Sequence, residues 1–188
     1  MRKSLIPAVV TASLFTLTAC GNEDDTDTAG GHNDADVTFA QEMIPHHQQA
    51  IEMADLAESR AESQEVKDLA ADIEAAQGPE IETMTGWLES WGEDVPDDGM
   101  SGMDHGDMSS DDMGGMMTED EMADLETAAG AEFDQMFLAM MIEHHEGAIE
   151  MAKTEQSEGE FPEAVDMAKE IQTTQAEEIQ TMQDLLKP

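Results

Sequence analysis

Two adjacent histidine pairs, His46-His47 and His144-His145, carry the most chemistry in this 188-residue sequence. Imidazole nitrogen binds late first-row metals, and thioether sulfur selects the softer ones. Each pair has a methionine one helical turn back. Met43 stands three before His46 and four before His47; Met141 stands likewise to His144 and His145, and Met140 is four before His144. Imidazole with thioether suits copper, Cu(I) above all. The carboxylates of Glu42, Glu143 and Glu146 would complete a Cu(II) site or orient the rings. Adjacent helical residues point about 100° apart, so one His of each pair is expected to face the interior and the other its edge. A polar layer in a helical core would use the same residue types without any metal.

The pairs belong to an internal repeat. Residues 39–54 read FAQEMIPHHQQAIEMA and residues 137–152 read FLAMMIEHHEGAIEMA, identical at ten of sixteen positions with an offset of 98. The same offset relates Ile73, Gln77, Glu80, Ile81, Met84 and Leu88 to Ile171, Gln175, Glu178, Ile179, Met182 and Leu186. Met53, Met84, Met151 and Met182 therefore recur in both units and are candidate ligands, although their spacing is also what core packing demands.

These side chains must be positioned by helices. Phe39, Met43, His47, Ala50, Ile51 and Ala54 share one face at three- and four-residue steps, and Val66, Leu69, Ile73, Ile81, Met84 and Leu88 recur similarly with a gap near Gln77. Thr38 with Gln41 reads as a capping box for the first helix, and Thr118 with Glu121 as one for a short helix running to about Ala129 and ended by Gly130. Gly159 and Pro162 mark the start of the last helix. Pro45 and Pro79 fall inside helices of the first unit, where the second unit has Glu143 and Glu177, so the halves are expected to differ in shape. No run alternates like a strand. Two amphipathic helices per unit, doubled, predict an all-α four-helix bundle with pseudo-twofold symmetry and a short extra helix. The bundle would span 38–188, with repeat 1 at about 38–91, a linker at 92–117 and repeat 2 at about 118–188.

That linker holds Met100, Met103, His105, Met108, Met113, Met116 and Met117 among Gly, Asp and Ser. It lacks the apolar content for a core, so its methionines are expected to be exposed in a flexible loop. They form a candidate accessory copper-gathering tract, or else an inert connector. At the other end, Arg2 and Lys3 precede an apolar run that closes on Leu17-Thr18-Ala19-Cys20-Gly21. This resembles a bacterial lipobox, so residues 1–20 read as a lipoprotein signal peptide with Cys20 as the lipidated residue. Residues 21–37, small, polar and acidic, read as a disordered tether, with His32 incidental.

Composition narrows the partners. The chain has 45 Asp+Glu against 7 Lys+Arg, a net charge of −38. That excludes nucleic acid, which needs basic side chains, and docking on anionic lipid, leaving a lipid anchor as the only membrane link. A single cysteine excludes a disulfide framework and any cysteine-based zinc site. Glu-x-x-His di-iron motifs, H-E-x-x-H, phosphate-binding glycine loops and G-x-S-x-G are all absent from the sequence, so no enzyme is expected.

The motif F-x-x-x-M-I-x-H-H-x-x-A-I-x-M-A, present twice, with the downstream E-I-x-T-M, resembles the bacterial domain-of-unknown-function family 305 over roughly Phe39 to Leu186. The resemblance implies a ferritin-like fold and secreted copper binding linked to copper tolerance, with the paired His and motif Met as ligands. The first unit departs from the second at Glu42, where the second has Met140. The expectation is an extracytoplasmic, lipid-anchored protein of the cell envelope. It would sequester copper or pass it on, with a copper-handling protein as a possible partner. The other expectation is a structural or interaction lipoprotein with no metal.

Overall fold

The computed structural model describes residues 31–96 and 114–187. Among them the protein is all-α. Its helices are α1 Asp34–Arg60, α2 Gln64–Trp91, α3 Glu119–Thr127, α4 Ala131–Glu158 and α5 Pro162–Leu185. Each unit of the repeat is a helical hairpin, α1 with α2 and α4 with α5. The hairpins join by packing α1 on α4, while α2 and α5 barely touch.

Local chemistry fixes the helix ends. Ser63 caps α2 by accepting from the Val66 N–H at 3.1 Å. Thr118 and Glu121 form the expected capping box of α3, which ends at Thr127, before the expected Ala129. Gly130, at φ 64, precedes α4, and Pro162 occupies the first turn of α5.

The start of α1 departs from expectation. The helix begins at Asp34, inside the segment read as tether, and its capping box is Asn33 with Asp36, not Thr38 with Gln41. The Thr38 hydroxyl instead donates to the Asp34 carbonyl within the helix. Asp36 looked like one more solvated acid, yet it is buried because its carboxylate accepts from the backbone N–H groups of Glu160 and Phe161, in the turn between α4 and α5. Asp134, its repeat mate, accepts from Glu62 and Ser63 in the turn between α1 and α2. Each hairpin thus ties down the turn of the other, and four otherwise free N–H groups are satisfied.

The apolar core is split in two. One cluster holds Met53, Ala57, Val66, Ile73, Phe133, Phe137, Met141 and Met182. The other holds Phe39, Met43, Ile44, Met84, Leu88, Ala152, Ala168 and Ile171. Every long helix contributes to both clusters, and between its two contributions each carries buried polar residues.

Candidate metal centre

The polar residues at mid-bundle are His46 and His47 on α1, Gln77 on α2, His144 and His145 on α4, and Gln175 on α5, all buried. Glu80 and Glu178 join them from α2 and α5. The layer is the repeat expressed in three dimensions, since every member has its partner 98 residues away.

Both members of each His pair are buried, at 0% exposure, so the expected edge position of one of them is incorrect. The angle between adjacent side chains was sound, but α1 and α4 are covered on two sides. His46 and His144 meet across the α1–α4 interface, with ring centroids 3.7 Å apart. His47 and His145 turn towards the second helix of their own hairpin. There His47 Nε2 lies 2.7 Å from Glu80 Oε2, and His145 Nε2 lies 2.6 Å from Glu178 Oε2.

Such carboxylates fix the tautomer and orientation of an imidazole. They are not the ones the sequence suggested. Glu143 and Glu146 are exposed and Glu42 is half-buried. The repeat did pair Glu80 with Glu178; what the sequence could not reveal is that each lies one helix over from its histidine.

The layer is poorly satisfied as a piece of core. Among the described residues, His46 and His144 have no hydrogen-bond partner of full geometry on either ring nitrogen. His47 and His145 have none on Nδ1, and Gln77 has none on its amide. Leaving a buried polar group unpaired costs roughly 1–3 kcal/mol. Burial first, and the neighbouring His47 second, push His46 down to about 3, although the nearby Gly114 carbonyl opposes the drop. Burial first, and the neighbouring imidazoles after it, push His144 well below the usual histidine range. Both rings are therefore neutral at physiological pH and keep the lone pair that a metal needs.

Methionines stand in both apolar clusters that flank the layer. Met43 and Met84 belong to one apolar cluster, Met53, Met141 and Met182 to the other, and all five are fully buried. Met140 and Met151 are half-buried and pack against the clusters. Among the described residues, no three His, Cys, Asp or Glu side chains converge as a metal cage. The donor set that remains, neutral imidazoles bounded by thioethers, fits a soft ion better than a hard one.

Of the linker, Met100, Met103, His105, Met108 and Met113 lie outside the described residues, as does Cys20. Met117 is not exposed in a loop: it is buried against the first cluster, and Met116 is half-buried. His32, read as incidental, stacks on Trp91 with centroids 4.4 Å apart.

A helical protein with a duplicated buried layer of imidazole, amide and carboxylate between two methionine-bearing apolar clusters is the class that fold and site define. The chain belongs to the family described as a domain of unknown function, DUF305, which matches residues 36–186. It is 34% identical to a DUF305 protein of Streptomyces coelicolor, over 81% of this chain and 91% of that one, with a TM-score of 0.70. A DUF305 fragment from Deinococcus radiodurans shares 31% identity over 82% and 96%, with a TM-score of 0.71. CopM, solved with Cu(I), shares 33% over 80% and 94%, with a TM-score of 0.64, and CopM has also been solved with Cu(II) and with silver. No curated protein matches the chain in sequence.

Proposed function

We propose that this protein binds copper as cargo in the mid-bundle layer, Cu(I) in preference to Cu(II), and holds it outside the cytoplasm for sequestration or transfer. The observation that carries this reading is the set of ring nitrogens on His46 and His144 that, among the described residues, are buried with no hydrogen-bond partner of full geometry, in a layer between two apolar clusters that each hold buried methionines. A layer serving only to set helix register would have its polar atoms paired with one another. The copper- and silver-bound forms of CopM support the choice of ion. Glu80 and Glu178 orient His47 and His145, and no turnover is required of any residue.

Copper(I) titration against a competing chelator tests the reading. The double variant His46→Leu with His144→Leu keeps the layer filled and should lose at least about a hundredfold in affinity. Glu80→Gln with Glu178→Gln should lose roughly 10- to 100-fold. Equal binding by wild type and the His46→Leu/His144→Leu protein, with helical content retained, overturns the copper site.

The location of the cargo rests on Cys20. Lipid attachment there would hold the bundle on the outer side of a membrane by a short tether, and no described helix is long and apolar enough to cross one. Cell fractionation of a Cys20→Ser variant should move the protein from the membrane pellet to the soluble fraction. Wild type found wholly soluble contradicts the anchor.

A further inference from the structure

Four histidines at 0% exposure pose a question of access. The chain that enters α3 crosses the bundle at the level of the polar layer, as residues 114–117. Gly114 lies so close to α4 that a Cβ on Gly147 would stand 1.8 Å from its carbonyl oxygen. Gly115, at φ 86, is against the backbone of the His-bearing turn, where a Cβ would meet the Glu143 carbonyl oxygen at 2.6 Å. On the other side, the Gln49 amide grips Met117 twice. Gln49 Nε2 donates to the Met117 carbonyl at 2.8 Å, and the Met117 N–H donates to Gln49 Oε1 at 2.7 Å.

Gln49 and Gly147 are the same position of the repeat. One unit places an amide there that copies a backbone pairing, and the other places no side chain at all. The two units thus diverge where a single segment must be held on one side and admitted on the other. Glycine is tolerated mid-helix at a cost of about 1 kcal/mol, and here it makes room for another backbone.

We propose that residues 114–117 form a strap that closes the His46–His144 pair off from solvent and sets the rate at which an ion enters and leaves, with Gln49 and Gly147 as its fixings. The rate-setting role rests on the copper reading, but the closure does not. The strap also ends the methionine-rich segment, so Met116 and Met117 are held beside the layer and not at a distance from it.

The test uses the full-length, metal-free protein. Diethylpyrocarbonate modification is followed at each histidine by mass spectrometry, with circular dichroism as a check on the helices. Gln49→Ala removes two hydrogen bonds and should raise modification of His46 and His144 on the order of tenfold. His47 and His145, covered by α2 and α5, should keep their wild-type rates. Gly147→Ala should act in the same direction by displacing Gly114. If it does not fold, Gln49→Ala decides alone. Unchanged rates at His46 and His144, or equal acceleration at all four histidines, overturns the strap. Transfer of Cu(I) to a chromogenic chelator should then quicken by a similar factor in the same variants. Faster modification with unchanged transfer would refute the rate-setting role. A protein that bound no copper would leave the modification result standing, so the two readings fail separately.

Discussion

Glu155 sits 1% exposed on α4, pressed against Asp36 of α1. Burial, the hydrogen bond to Asp36 and the charge of Asp36 push its carboxyl up to about 8. Burial alone would raise Asp36 too. The Asn33 N–H, the Glu155 carboxyl and the N–H groups of Phe161 and Glu160 outweigh it and hold Asp36 below its ordinary value. One acid therefore keeps its proton while the other stays ionised beside it. Its repeat mate is Ala57, so only one end of the bundle carries this pair. The sign for stability follows from proton counting. The unfolded chain releases the Glu155 proton near 4.5, while the folded protein holds it up to about 8. Between those values the folded state binds more protons, so stability falls as pH rises through the interval and levels off above it. Glu155→Gln supplies a permanent donor to Asp36 and should flatten that slope. At pH 8 it should be the more stable protein by roughly 1–3 kcal/mol, read by denaturant unfolding at several pH values. Parallel pH profiles for variant and wild type would refute the shared proton.

At the scale of the elements, the repeat made the four long helices readable, because a 98-residue offset preserves the apolar face and the His pairs together. The same repeat held Glu80 and Glu178 in plain view, but helical period gives contacts within a helix and not between helices. Hence Glu143 and Glu146, neighbours in sequence, looked like the better partners and proved exposed. The beginning of α1 was obscured for a related reason. Asp36 is polar by composition and structural by position, since its ligands are N–H groups more than a hundred residues away. The burial of Met117 is hidden because residues 106–116 before it are all Gly, Ser, Asp and Met. Nothing local distinguishes the residue at which such a segment returns to the core. The clue available was the mismatch of Gln49 with Gly147, one of six unlike pairs in the sixteen-residue motif and so easily passed over.

Taken as a whole, the molecule is a charged object held together across two small apolar clusters. The chain carries 45 acidic residues against 7 Lys and Arg. Among the described residues, the lysine ion pairs are Lys153 with Glu150, Lys169 with Asp166 and Lys187 with Asp184, all local and exposed. None of these ties one long helix to another, so the lysines do not offset repulsion between helices. Acidic side chains also face one another where α2 and α5 diverge, including Glu65, Asp68, Asp72, Glu177 and Glu178. A long helix here spans about 40 Å at 1.5 Å per residue. The screening length is about 30 Å at 0.01 M salt and falls to about 3 Å at 1 M. At low salt most carboxylates therefore act on one another across the bundle, and at high salt only near neighbours do. Self-repulsion of this kind destabilises the compact state. The midpoint of thermal unfolding should accordingly rise by roughly 5 °C or more between 0.01 M and 0.5 M sodium chloride, since 1 kcal/mol is worth about 2–8 °C for domains of this size range. Sodium sulfate at the same ionic strength would add an exclusion effect, so chloride is the cleaner probe. A midpoint that stays constant or falls with sodium chloride would mean that the acidic surface is already relaxed in the fold, and that its charge acts on approaching cations alone.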